Sequence, residues 1–206
     1  MLRVGMLGGT FDPIHNGHLA IAEECRVRLE LDHVLFVPAG MPPHKLRRPI
    51  TSAGHRAAMV ALAIAGNPGF VLSRIELDRP GPSFTVDTLA LLAAEYQASA
   101  EPAALSLIIG MDSLADIRLW YRPADILARS TVVAVARPGQ QPADLAALDA
   151  AIPGASTRVT ILEGPRLDIS STDLRARVAA GLPIRYQVPD AVASYIHAHD
   201  LYAHAV

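Results

Sequence analysis

The chain has 206 residues, 51% of them hydrophobic and 18% charged, with a formal net charge of −2; this is a globular composition and excludes the disordered and fibrous classes. The charge balance offers no overall attraction to polyanions, which argues against extended nucleic acid as a partner, and no stretch approaches the ~20 uninterrupted apolar residues of a membrane span. The single cysteine, Cys25, excludes an intrachain disulfide framework and a cysteine-ligated zinc module, and points to a reducing cytoplasm.

The opening residues 1–7 carry one charge and an apolar run too short for a signal peptide, so they are expected to belong to the fold. Residues 2–7 read as a buried strand running into Gly8-Gly9, and 16–31 as a helix with apolar residues at helical spacing. The alternation continues with a strand over 33–37, a helix over 52–65, a strand over 69–74 and a helix over 85–96. Strands follow at 105–109, 131–136 and 159–162, with helical segments near 113–119, 123–128 and 143–151. Near-continuous Val, Ile and Leu strands, each followed by an amphipathic helix, predict an α/β protein: a Rossmann-like, doubly wound parallel sheet with helices on both faces. No composition break marks a second domain, so residues 1–206 form one unit, with a core to about residue 165 and a C-terminal helical segment beyond it. Ligands of such sheets bind outside the carboxyl ends of the strands.

The densest signal lies there. Gly8-Gly9-Thr10-Phe11-Asp12-Pro13-Ile14-His15-Asn16-Gly17-His18 connects the first strand to its helix. Two glycines let backbone approach a ligand, and the unpaired N–H groups and positive dipole end of the helix favour an anion near residues 16–18. His15 and His18, three residues apart, can both face one bound group if His15 is near the helix start. An isolated H-x-x-H reads more simply as one capping and one packing histidine. The string lacks the Lys-Ser/Thr of a Walker A loop and the third glycine of a dinucleotide fingerprint. Far along the chain, Ile169-Ser170-Ser171-Thr172-Asp173-Leu174-Arg175 is, taken alone, an ordinary helix start with good N-caps. The short basic cluster of Lys45, Arg47 and Arg48 is sized for a small phosphate ligand.

Together the two motifs resemble the (H/T)xGH nucleotidyltransferase superfamily, whose first string binds ATP and whose ISSTxxR helix start holds the β and γ phosphates. The segments between resemble one branch of it, the nicotinate mononucleotide adenylyltransferases, over a likeness running from Val4 to about Arg175. The resemblance implies transfer of AMP from ATP to nicotinate mononucleotide, giving deamido-NAD and pyrophosphate in NAD biosynthesis, with Mg2+ arriving as a companion of ATP. His15, His18 and Arg175 would be catalytic. ATP would be held by these and by Gly8, Gly9, Thr10, Phe11, Gly110, Asp112, Arg137, Ile169, Ser170, Ser171 and Thr172. The mononucleotide would meet Thr10, Phe11, Asp112, Thr85, Trp120, and His44 and Lys45 of the Pro42-Pro43-His44-Lys45 loop. Ser83-Phe84-Thr85-Val86-Asp87-Thr88 departs from the branch's pattern in having Phe84 where tyrosine is usual, and Asp87 is expected only to cap its helix. Asp112 would accept ribose hydroxyls, although a strand-end aspartate equally caps a helix. Trp120 would stack on the pyridine, although a lone tryptophan is commonly core.

Two other readings stay open: an acceptor such as nicotinamide mononucleotide or phosphopantetheine, and a non-catalytic nucleotide-binding module. A class I aminoacyl-tRNA synthetase fragment shares the first motif but would need a KMSKS loop, which is absent. The carboxylate or amide preference and the oligomeric state, homo-oligomer included, are not readable from the residues. His197, His199 and His204 are taken as a solvated terminal helix rather than a metal site, since residues two apart do not share a helix face and no carboxylate or cysteine completes a set.

Overall fold

The near-continuous aliphatic runs form six parallel strands: β1 (Leu2–Gly9), β2 (His33–Pro38), β3 (Phe70–Leu72), β4 (Ala103–Gly110), β5 (Thr131–Ala136) and β6 (Val159–Glu163). The structure, a computed structural model, describes residues 1–41, 50–136 and 143–203. The strand order is β3-β2-β1-β4-β5-β6. The chain winds outward from β1 in one direction, returns to its other side at β4, and winds outward again, as the doubly wound reading requires. In register, Leu7 pairs with Phe36 and with Ile108, so the glycines ending β1, Gly8 and Gly9, and the one ending β4, Gly110, reach the same edge of the sheet.

Side-chain alternation along the strands builds two cores, one on each face. Val34 and Phe36 of β2 and Val133 and Val135 of β5 pack with α1 (Asn16–Arg28), α2 (Ala53–Ile64), α7 (Ser171–Ala179) and α8 (Asp190–Ala198). Leu35 and Val37, with Val132 and Ala134, pack on the opposite face with α3 (Thr85–Ala98), α4 (Met111–Asp116), α5 (Pro123–Arg129) and α6 (Leu145–Ala151). Truncating a side chain as buried as Phe36, which has no exposed surface, costs ~3–5 kcal/mol.

Most boundaries lie within two or three residues of the sequence reading. The helix expected to reach residue 31 stops at Arg28, because Glu30 turns left-handed (φ 48°) and the N–H groups of Glu30 and Leu31 bond back to the carbonyls of Val27 and Arg26, a Schellman closure without glycine. The strand expected over 69–74 is only Phe70–Leu72 and lies at the sheet's edge; a turn closed by Leu77 N–H on the Arg74 carbonyl follows it. The helix expected from residue 113 starts at Met111, directly on the end of β4, and passes into a 3-10 turn over Ile117–Leu119. The expected solvated terminal helix is instead an amphipathic one. Val192 and Ile196 of α8 are buried against α2, and Tyr195 and His199 contact the ring of His55, whose Nδ1 lies 2.9 Å from the Tyr195 hydroxyl. His197 is exposed, and His204 lies outside the described residues. No helix of the described residues is long and apolar enough to cross a membrane.

Candidate active site

The turn after β1 is held from several sides. Phe11 has a left-handed backbone (φ 50°) while its ring is buried, a conformation that persists only where surroundings over-determine it. His15 is the N-cap of α1 and is 6% exposed. Its backbone N–H donates to Nδ1 of His18 at 3.2 Å, so the neutral His18 ring carries its proton on Nε2. The two imidazoles stack at 3.7 Å, and the Phe11 ring meets His18 edge-on at 5.1 Å. Gly17 makes this possible: a Cβ there would stand 3.0 Å from Nδ1 of His15. The pair expected to face one group is thus brought together at a helix N-terminus.

The second motif docks on the first. Ser170 caps α7, its Oγ accepting from Asp173 N–H at 3.1 Å and donating to the Asp173 carboxylate at 2.7 Å. Ser171 Oγ donates to the Pro13 carbonyl at 2.8 Å, and Arg175 Nη1 donates to the Asp12 carbonyl at 2.7 Å. Ile169 approaches Gly17. Two helix N-termini, two histidines and one guanidinium, drawn from positions 15 to 175, therefore meet beside Gly8, Gly9 and Thr10. Thr172 lies against Arg175, its Oγ1 3.4 Å from Nη2.

The remaining predicted residues divide. Thr85 opens α3 with Phe84 as its N-cap. Asp87 does not perform the expected capping; its carboxylate lies 3.7 Å from Arg79, and no side chain caps α3. Asp112 is exposed and is the second residue of α4, two positions after the cap Gly110. Trp120 ends the 3-10 turn and is half-buried against the α3–α5 core, and the ring of its neighbour Tyr121 contacts Phe84 at 4.6 Å. His44, Lys45, Arg47, Arg48 and Arg137 lie outside the described residues. Cys25 is buried in α1 with its thiol pushed up to about 12 by desolvation, which leaves no thiolate nucleophile at neutral pH.

Sequence reading missed the residues that hold the turn from behind. Asp12 is buried, and its carboxylate accepts from the Tyr202 hydroxyl at 2.7 Å and from Thr51 N–H at 3.4 Å. Burial raises the Tyr202 phenol far above its ordinary range, so it is a donor at any working pH. Asn16 bonds through N–H to the Gln187 carbonyl (2.9 Å) and through its amide to the Tyr186 carbonyl (2.8 Å). Arg56 stands fully buried under Thr10. A lone arginine in the apolar run of α2 was the one available signal.

The sequence matches the cytidylyltransferase-like family over residues 6–177. A relative from Roseiflexus sp. (strain RS-1), described as "Probable nicotinate-nucleotide adenylyltransferase", is 54% identical over 97% of each chain; one from Thermomicrobium roseum with the same description is 47% identical over 98% of this chain and 92% of its own. The chain belongs to the cytidylyltransferase-like family, in its nicotinate-nucleotide adenylyltransferase branch. The fold of this branch is shared with the nicotinic acid mononucleotide adenylyltransferase of Plasmodium falciparum, solved in complex with APC and with NaAD. At 18% identity that protein superposes with a TM-score of 0.76 over 98% of both chains.

Proposed function

We propose that this chain transfers the AMP portion of ATP to the phosphate of nicotinate mononucleotide, forming deamido-NAD and pyrophosphate in NAD biosynthesis. The observation that carries the reading is the meeting of two helix N-termini, His15, His18 and Arg175 at the end of β1, in a chain related over 97% of its length to the adenylyltransferase branch.

The acceptor phosphate is anionic at neutral pH, so attack on the α-phosphorus needs no base to create the nucleophile. Catalysis becomes alignment and stabilisation of charge. ATP enters as its magnesium complex. Nε2–H of His18 donates to the α and β phosphate oxygens, with His15 beside it. Arg175, together with the amides at the start of α7, holds the departing pyrophosphate, its planar fork suited to two oxygens at once. Asp112 receives ribose hydroxyls, Thr85 and Trp120 receive the pyridine end, and His44 and Lys45 receive the acceptor phosphate. The reading places the protein in the cytoplasm, supported by a lone, buried thiol.

The test is pyrophosphate release from MgATP with nicotinate mononucleotide, nicotinamide mononucleotide and phosphopantetheine supplied in parallel. The nicotinate substrate is expected to give the highest kcat/KM and deamido-NAD as product. A higher value with either other acceptor would reassign the substrate, and no product with any of them would remove the proposed activity.

A further inference from the structure

Arg56 is the largest fully buried side chain among the described residues, 2% exposed on a helix turn otherwise made of Ala, Met and Val. A buried charge is costly unless its donors are used. Nε donates to the Thr51 carbonyl at 2.9 Å, Nη1 to the Thr10 carbonyl at 2.9 Å, and Nη2 points to the Gly40 carbonyl at 3.5 Å. These three carbonyls belong to different parts of the site. Thr10 lies in the turn that carries His15 and His18, whereas Gly40 precedes and Thr51 follows the segment containing His44 and Lys45.

Buried acids balance the guanidinium. Asp12 and Glu76 both act on its charge, and each is tied to the same loops. Asp12 accepts from Thr51 N–H. Glu76 accepts from Thr88 Oγ1 at 2.7 Å and also from Ser83 and the Gly40 N–H. Gly40 is boxed in, since a Cβ there would run into the Glu76 carbonyl oxygen and stand 2.9 Å from Ser83 Oγ.

We propose that Arg56 is a positioning residue for adenylyl transfer, its fork holding Thr10, Gly40 and Thr51 so that the ATP-binding turn and the two ends of the acceptor loop keep the separation at which acceptor phosphate and α-phosphorus align. The inference rests on the proposed activity. A lysine would keep the positive charge that Asp12 and Glu76 require but could not bridge three carbonyls in one plane. Each loop would still bind its own substrate, and what is lost is their mutual placement.

The experiment compares the unmodified protein with Arg56→Lys and Gly40→Ala, the second of which leaves Arg56 in place and displaces one of its carbonyls. Folding is checked by thermal melts, the binding of ATP and of nicotinate mononucleotide is measured separately by calorimetry, and kcat is taken from pyrophosphate release. Binding constants are expected to stay within about 3-fold while kcat falls by roughly 10²-fold, the size of effect produced by an ångström of misplacement. An unchanged kcat per folded molecule, with only the melting temperature lowered, overturns the proposal, as does a loss that lies wholly in the binding of one substrate. Should Arg56→Lys not fold, Gly40→Ala decides by the same two readings. An inactive unmodified protein would overturn the proposed function and this inference with it, whereas an active one with unimpaired variants overturns the inference alone.

Discussion

His18 is committed on one side before any ligand arrives. Its Nδ1 receives the His15 N–H and its ring contacts both Phe11 and His15, so the orientation of the imidazole is set by the turn that carries it. His18→Ala is therefore expected to lower kcat by roughly 10²-fold or more, in the range of losing one preorganised donor, with the protein still folded. Steady-state pyrophosphate release beside a thermal melt reads this directly, and a variant with undiminished kcat contradicts the role. That His15, His18 and Arg175 come together was legible in the sequence because each lies in a short contiguous motif and the two motifs as a pair resemble one superfamily. The roles of Arg56, Asp12 and Tyr202 were not, because what distinguishes them is burial and the carbonyl or carboxylate they reach, and for Tyr202 that partner lies 190 residues away.

At the scale of elements, strand and helix order could be read from hydrophobic period, whereas the ends could not. Among the described residues four helices close with Schellman bonds, and only α7 does so with glycine, Gly181; Glu30, Ala100 and Asp200 take the left-handed position after α1, α3 and α8. Reading the helix from its apolar spacing therefore overruns α1, because Leu31 is itself apolar and buried in the core although it lies beyond the left-handed Glu30. The connection from α4 to α5 carries a substrate prediction. Trp120 is half-buried, with the exposed Tyr121 leaning on Phe84 next to the start of α3. If the indole is a platform for the pyridine, Trp120→Ala raises the KM for nicotinate mononucleotide roughly 10-fold, the worth of a stacked ring, with kcat and the KM for ATP changed much less. Two-substrate kinetics and a melt on one preparation distinguish this from a core role, which would appear as a large drop in melting temperature with the mononucleotide KM unmoved.

For the whole molecule, the buried acid held by Thr88, Ser83 and Gly40 sets a pH dependence of stability. Desolvation raises the Glu76 pKa above its ordinary 4.5, against the lowering hydrogen bonds of Thr88, Ser83 and Gly40 and the charge of Arg79. From pH 4.5 up to the raised value, the folded state keeps a proton that the unfolded chain has released, so this contribution to stability is complete below 4.5 and is lost as pH rises through the folded pKa. Glu76→Gln removes that slope whatever constant offset it introduces. Melts of both proteins from about pH 4 to about pH 7 should show the advantage of the unmodified protein shrinking as pH rises across the carboxylate range; a gap that stays constant would mean that Glu76 titrates alike in both states.

The bonds from Tyr202 to Asp12 and from Asn16 to the carbonyls of residues 186 and 187 also put the site on a clock. A ribosome adding roughly 5–20 residues per second needs about 10–40 s after Asp12 to produce the hydroxyl that holds it. All six strands are made well before then. A chain arrested just past β6 holds every strand segment and both histidines, yet neither the α7 N-terminus nor the tyrosine that ties down the turn, so the turn's full set of ties can be made only when the last residues have been added.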